Sequence, residues 1–410
     1  MTGLISQEFD ADLAAMLIEG LLGFVEQEVV PLERANAEAL ADARQVYLPT
    51  GRKAPWLVDL ELEVRQRSAE AGYFACTVPT ELGGGGQGPT VYFLLWEALY
   101  HHCGAGRILP FEALAHFATG PSGVLVEARD EAVVADLLAG RRSMCFGLSE
   151  PDSGSDAWGM KTSAVRDGDE WRITGTKQWT TNGPSADVCL VFAVTDAERA
   201  KLRRGGVSAF LVPTDTPGFS VDSVITLFGH IGGDEAILSF DDVRVPAAAL
   251  VGEVDSGFTL ALKAVNEGRL YNCGRAIGLA RWCLDQAVDY AKQRRTFDRP
   301  IADYQAIQWH LADSATELYA ARCMTLDCAR RLERGERAIK ELSMSKLMAT
   351  EAGCRAIDRC TQVLGAMGLT SEMRFYDAWQ QVRTVRIAEG SGEILRRTIA
   401  GRLLQGDLSL

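Results

Sequence analysis

The sequence predicts an α+β multidomain chain: an N-terminal helical domain over 1–143, a middle β domain over 144–252 and a C-terminal helical bundle over 253–410. Three observations predict it. Apolar residues recur at helical spacing in the first third, short β-branched runs separated by turn residues fill the middle, and the helical period returns after Ser256. At 410 residues, 47 % hydrophobic and 24 % charged, the chain has the length of about two to three domains and enough apolar residues to build their cores without cross-links.

Leu13, Met16, Leu17, Phe24 and Val25 begin the helical pattern, which continues with short breaks to about Leu138. From Ser143 to about Gly252 the runs Trp171–Thr174, Val188–Val194, Ala209–Val212 and Ile237–Val245 are alternating or β-branched, with Gly, Asp, Asn and Pro between them. That is the pattern of an antiparallel sheet or barrel. In the last third Ile277, Ala280, Leu284, Val288 and Ala291 form one helical stripe, and Ile307, Leu311 and Leu318 another. Breaks near 296–300, 334–337 and 365–368 divide this region into long helices. The run Gly83–Gly88 contains G-x-G-x-x-G, but Pro89 follows and no βαβ pattern surrounds it. It reads as a flexible turn, not as a dinucleotide fingerprint.

The net charge of −13 is unevenly spread. Residues 1–150 carry 21 acids and 10 bases, 151–250 carry 14 and 9, and 251–410 carry 20 and 23. An acidic protein gains nothing from a phosphate backbone, so nucleic acid is not expected as a partner; the basic last third suits a small phosphorylated ligand. No apolar stretch has the length of a membrane span, and seven acids precede the first base, Arg34, unlike a secretory or transit peptide. A cytoplasmic location is expected. Ten cysteines are scattered from Cys76 to Cys360 without a C-x-x-C pair, so reduced thiols are expected, without a disulfide framework or a metal site.

Five segments could carry chemistry. Residues 145–156, from Cys145 to Asp156, offer the hydroxyls of Ser149, Ser153 and Ser155 beside Gly154, suited to a polar ring or a phosphate, although composition alone also allows a polar interdomain loop. Gly175–Gly183 places Trp179, Thr180 and Thr181 on a presumed strand, where a tryptophan is either core or the wall against which a flat ring packs. Tyr290–Phe297 ends a helix with Arg294 and Arg295, and Gln305 follows. The last two are Gln362–Gly368 and Ala388–Ile394.

Together, in this order and spacing, these segments resemble the acyl-CoA dehydrogenase family over roughly Phe74 to Leu404. The resemblance implies an N-terminal helical domain, a middle β-barrel, a C-terminal four-helix bundle, bound FAD and a homotetramer built as a dimer of dimers. It also implies roles for individual residues. Phe146, Leu148 and Ser149 line the flavin, Gly154 and Ser155 lie at the cofactor phosphates and the substrate mouth, and Trp179, Thr180 and Thr181 pack against the ring. Arg294, Thr296, Phe297, Gln305, Gln362, Gly365 and Ala366 grip the FAD of a neighbouring subunit, and Ser391 and Glu393 join the cofactor set. Asn266, Arg269, Gly390 and Ser155 face the substrate. Glu389 corresponds to the catalytic base, a carboxylate suited to removing the proton beside a thioester while hydrogen bonds receive the developing enolate oxygen.

The sequence also departs from the family pattern. Gln380 and Gln381 replace a charged pair, Ser391-Gly392 replaces Thr-Ser, and Ala388 leaves room beside the base, with Arg386 nearby. The position where some members carry an alternative base is Gly268, with Glu267 one residue out of register. The expected activity is FAD-dependent α,β-dehydrogenation of an acyl-CoA to a trans-2-enoyl-CoA, with an electron-transfer flavoprotein as acceptor. The rivals are an acyl-CoA oxidase or flavin monooxygenase on the same fold and, in another class, a non-catalytic flavin-binding protein.

Overall fold

A computed structural model describes residues 10–409. The chain divides into two compact units, one made of residues up to Gly23 with Gly88–Phe111 and Asn266–Leu410, the other of Phe24–Gln87 and Glu112–Val265. Its main helices are α1 (Ala11–Phe24), α2 (Pro55–Glu70), α3 (Pro89–Cys103), α4 (Glu131–Leu138), α5 (Gly257–Gln293), α6 (Gln305–Glu333), α7 (Ile339–Leu364), α8 (Phe375–Val385) and α9 (Gly392–Leu404). The strands are β1 (Met144–Gly147), β2 (Ser163–Asp167), β3 (Glu170–Thr181), β4 (Val188–Val194), β5 (Val207–Pro213), β6 (Phe219–Ile225), β7 (Glu235–Pro246) and β8 (Leu250–Val251). Helical N- and C-terminal regions thus flank a central sheet region in sequence, as expected.

The second unit is organised by one eight-stranded sheet in the order β6-β7-β3-β2-β4-β5-β8, with β1 added beside β4. Most neighbours are antiparallel, but β1 runs parallel to β4, pairing Met144 with Val188 and Gly147 with Val191. Alternation alone does not reveal this, because a parallel strand buried on both faces has no polar side. Strand β4 shows why it is apolar throughout. Cys189, Val191 and Ala193 face a core with Trp171, Ile173, Phe210 and Leu238, while Val188, Leu190 and Phe192 face a second core with Phe117, Leu125, Leu137 and Leu260.

The run Gly83–Gly88 is not a flexible turn over its first part. Gly85 N donates to Ala75 O, Gly86 N to Val78 O and Gln87 N to Cys76 O, at 3.0, 2.8 and 2.9 Å. A Cβ on Gly84 or Gly85 would sit 2.3 Å from Val78 O or 2.6 Å from Cys76 O, so close backbone approach is what demands glycine there.

In the first unit α6 and α7 form an antiparallel hairpin. Glu317 on α6 receives Arg355 and Arg359 of α7 at 2.9 and 3.0 Å, which fixes their register. Phe93, Leu270, Cys273, Ile277, Ala321, Cys328, Leu342 and Ala349 form the core. On α5 the predicted stripe is shifted slightly: Leu284 and Val288 are only half-buried, and Cys283 and Ala287 take the innermost places. The cysteines are all free, Cys323 alone of the ten being exposed. Among the described residues no helix is long and apolar enough to cross a membrane, and no cluster of His, Cys, Asp or Glu is arranged to hold a metal.

Candidate active site

Glu389 lies in the turn between α8 and α9, half-buried, with its backbone in the left-handed region at φ 49°. A left-handed glutamate is strained, so something must hold it. Three side chains do. Asn272 on α5 donates its amide to Glu389 Oε2. Arg269, one turn earlier, donates from Nε to the Glu389 carbonyl at 3.0 Å and from Nη1 to Asn266 Oδ1 at 3.2 Å. Lys346 on α7, whose side chain is completely buried, donates to the carbonyls of Ala388 and Gly390 on either side. The Glu389 N–H donates to no acceptor among the described residues. The arrangement offers an aimed carboxylate with a free backbone donor beside it.

Burial lowers the Lys346 ammonium to about 8; Glu389 pulls it up and Arg269 pushes it further down. Burial also lowers Arg269, against the pull of Glu389. Gly390 takes φ 97°, and a Cβ there would come within 3.2 Å of Arg269 Nη2. Ser391 caps α9 by accepting from Ile394 N at 3.5 Å. The exposed Glu393 carboxyl is lowered by its own backbone N–H and the Ser391 hydroxyl. Arg386, whose direction sequence left open, is turned to Glu351, which also holds Arg396. Gln381 accepts from Arg275 at 3.0 Å.

The second unit brings two further motifs, 145–156 and 175–183, together. Gln178 N donates to Ser149 O at 2.9 Å, which ties the end of β3 to the segment after β1. Phe146 and Leu148 are partly buried against the second core, and Gly154 and Ser155 are exposed. Trp179 sits at a bulge where β3 slips register against β7, at φ 63° and 52 % exposed. The bulge turns the indole out of the core and reverses which residues point inward. Thr180 Oγ1 is thereby buried with no hydrogen-bond partner, whereas Thr181 donates to Glu235 at 2.9 Å. The exposed indole offers a wall on which a flat ring such as a flavin can pack.

Beneath this segment is a buried pair that sequence reasoning did not single out. Lys177 Nζ lies 2.8 Å from Glu150 Oε1 and 3.1 Å from Leu148 O, and Glu150 also accepts from Thr162 N at 3.0 Å. Burial pushes the Glu150 carboxyl up, and Lys177 together with the hydrogen bonds from Lys161 and Thr162 outweighs it, leaving the group below its ordinary range.

Arg294, Phe297, Gln305, Gln362, Gly365 and Ala366 are all exposed and Thr296 is half-buried. Phe297 stands out at 91 % exposure. The α6/α7 hairpin places Gln305 and the 362–366 segment at one end.

The acyl-CoA dehydrogenase C-terminal domain model matches residues 255–404 and the middle domain model residues 145–243. Over 391 residues the chain is 34 % identical to the mitochondrial short-chain specific acyl-CoA dehydrogenase of Homo sapiens, covering 95 % of this chain and 90 % of that protein. It is 32 % identical over 346 residues to subunit CarC of the caffeyl-CoA reductase-Etf complex of Acetobacterium woodii, with coverages of 84 % and 90 %. The solved structure of a glutaryl-CoA dehydrogenase from Mycobacterium smegmatis in complex with FADH2 is similar with a TM-score of 0.77 and 26 % identity, covering 99 % of this chain and 98 % of that one.

Proposed function

The chain belongs to the acyl-CoA dehydrogenase family, an FAD-dependent family of oxidoreductases acting on CH–CH bonds, and from that premise we propose that it converts an acyl-CoA to a trans-2-enoyl-CoA with Glu389 as base. The observation that carries this reading is the Glu389 carboxylate held by Asn272, in a loop gripped on both sides by Lys346.

Glu389 takes the Cα proton of the thioester. The electron pair of that C–H bond becomes the second bond between Cα and Cβ, and the Cβ hydrogen leaves with its own pair. FAD, when bound, supplies the acceptor for that hydride at N5. Negative charge that develops on the thioester oxygen is received by the unengaged N–H of Glu389. Arg269, Asn266 and Gly390 border the same loop and with Ser155 form the substrate set.

Phe146, Leu148, Ser149, Gly154, Ser155, Trp179, Thr180 and Thr181 hold the FAD, with Ser391 and Glu393. Arg294, Thr296, Phe297, Gln305, Gln362, Gly365 and Ala366 reach the FAD of a neighbouring copy in a homotetramer; their exposure supports this. Electrons pass to an electron-transfer flavoprotein, a partner suggested by the Etf complex to which the CarC relative belongs. The protein acts in the cytoplasm. The reading is tested by adding saturated acyl-CoAs to the FAD-loaded protein without oxygen. Bleaching of the flavin band with formation of enoyl-CoA supports it, and a flavin that none of them reduces refutes it.

A further inference from the structure

Arg275 is a charged group near Glu389 to which the dehydrogenation gives no part. It stands on α5 three residues beyond Asn272, on the same helix face and about 4.5 Å further along the axis. Its Nε and Nη2 donate to Gln381 Oε1 at 3.3 and 3.0 Å, and its guanidinium lies 5.6 Å from the centroid of the Tyr100 ring. Tyr100 stacks on Phe111 with centroids 4.3 Å apart and meets the Tyr271 hydroxyl at 2.5 Å.

None of these partners is an acid. Among the described residues no carboxylate lies within ion-pair distance of Arg275, nor of Arg269 or Lys346. Glu389 is the carboxylate whose field reaches all three. Burial weighs against the Arg275 charge, and the Tyr100 and Tyr271 hydroxyls with the field of Glu389 outweigh it, all without an acid in contact. A guanidinium has five N–H donors, and those facing Gln381 and the Tyr271 hydroxyl leave others to take a carboxylate through the planar fork. Three cations, Arg269, Arg275 and Lys346, thus share the field of one carboxylate, Glu389, which leaves the cluster able to take a further anion.

Building on the dehydrogenase reading, we propose that the acyl group of the natural substrate carries a second carboxylate, remote from the thioester, which pairs with Arg275. The substrate class is then the monothioesters of dicarboxylic acids. The aromatic surroundings of Tyr100, Phe111 and Tyr271 bury the methylene chain between the two ends.

The test compares kcat/KM of the FAD-loaded enzyme on chain-matched pairs: glutaryl- and pentanoyl-CoA, adipyl- and hexanoyl-CoA, suberyl- and octanoyl-CoA. At least one dicarboxylic thioester is expected to exceed its partner by about 10- to 100-fold, the worth of a charge-assisted bond. Arg275→Gln is expected to bring that ratio to about one. Equal or better use of every plain thioester by the unmodified enzyme overturns the inference, as does a ratio that survives Arg275→Gln. Should that variant not fold, Arg275→Lys decides: it keeps the charge but loses the fork, so an undiminished ratio overturns the proposal and a reduced one supports it. Turnover of plain thioesters alone overturns this inference and leaves the dehydrogenase reading standing. Turnover of neither series overturns both.

Discussion

The Lys346 ammonium lies 2.7 Å from the Gly390 carbonyl oxygen and also donates to that of Ala388, so one buried cation grips the chain on both sides of Glu389. Lys346→Met removes the donor and leaves two carbonyls unsatisfied, each worth about 1–3 kcal/mol where water cannot replace the partner. The expected result is a kcat at least about tenfold lower, corresponding to about 1.4 kcal/mol of barrier, with a smaller change in KM. Steady-state kinetics on the variant check it.

The same lysine gives a pH signature. Its pKa is about 8 in the folded protein against an ordinary 10.5, so folding disfavours the protonated form. That penalty is fully present below about pH 8 and is relieved as pH rises toward 10.5, while the grip on the loop is lost as pH rises through about 8. Activity should therefore decline above about pH 8, and Lys346→Met should lack that alkaline limb. Glu389 from the loop, Arg269 and Cys273 from α5 are the titratable neighbours; a limb that persists unchanged in the variant assigns it elsewhere.

Thr180→Val tests the flavin-side reading. The hydroxyl is buried and makes no hydrogen bond, so its removal should not lower the melting temperature of the cofactor-free protein. If FAD supplies the missing partner, the variant binds FAD about fivefold more weakly, the worth of about 1 kcal/mol. Equilibrium dialysis and melting curves give both values, and a destabilised apoprotein with unchanged FAD affinity contradicts the assignment.

Lys177→Met leaves Glu150 buried without its cation. Losing one partner of such a pair costs about 3–5 kcal/mol, and the Leu148 carbonyl beside the flavin segment loses a donor as well. Because Glu150 lies below its ordinary 4.5, the contribution of the pair is present above that pH and lost as pH falls through the folded value. Denaturant melts at pH 7 and in acid should show the gap between the two proteins closing in acid.

Arg294→Ala removes a cation from the exposed end of α5. Loss of FAD during gel filtration, with a shift to smaller assemblies, is expected. Full retention in an unchanged assembly would remove Arg294 from the cofactor set.

Much of this was legible in the sequence. Val188–Val194 is a strand with the bounds its apolar run suggests, and the helix breaks before Gln305 and Ile339 fall where Pro, Gly and charge cluster. Period and turn chemistry are local, so local sequence carries them. The supports of Glu389 were less visible because they come from two other helices. A signal existed: Lys346 falls four residues after Leu342 and three before Ala349, inside the apolar stripe of α7, where a lysine must have buried acceptors. Lys177 likewise lies on the inward parity of Trp171 and Ile173. The exposure of Trp179 was not legible, since it depends on a bulge set by how β3 pairs with the distant β7.

Glu389→Gln keeps the shape of the side chain and removes the base, so it separates proton abstraction by Glu389 from every other role of the loop. The FAD-loaded variant and the unmodified protein are mixed with the same acyl-CoA under anaerobic conditions and the flavin band is followed. Both proteins should retain FAD, the unmodified protein should bleach, and the variant should bleach at least about a thousandfold more slowly, as expected for loss of a general base. Bleaching of both proteins at similar rates would contradict the role of Glu389 as base.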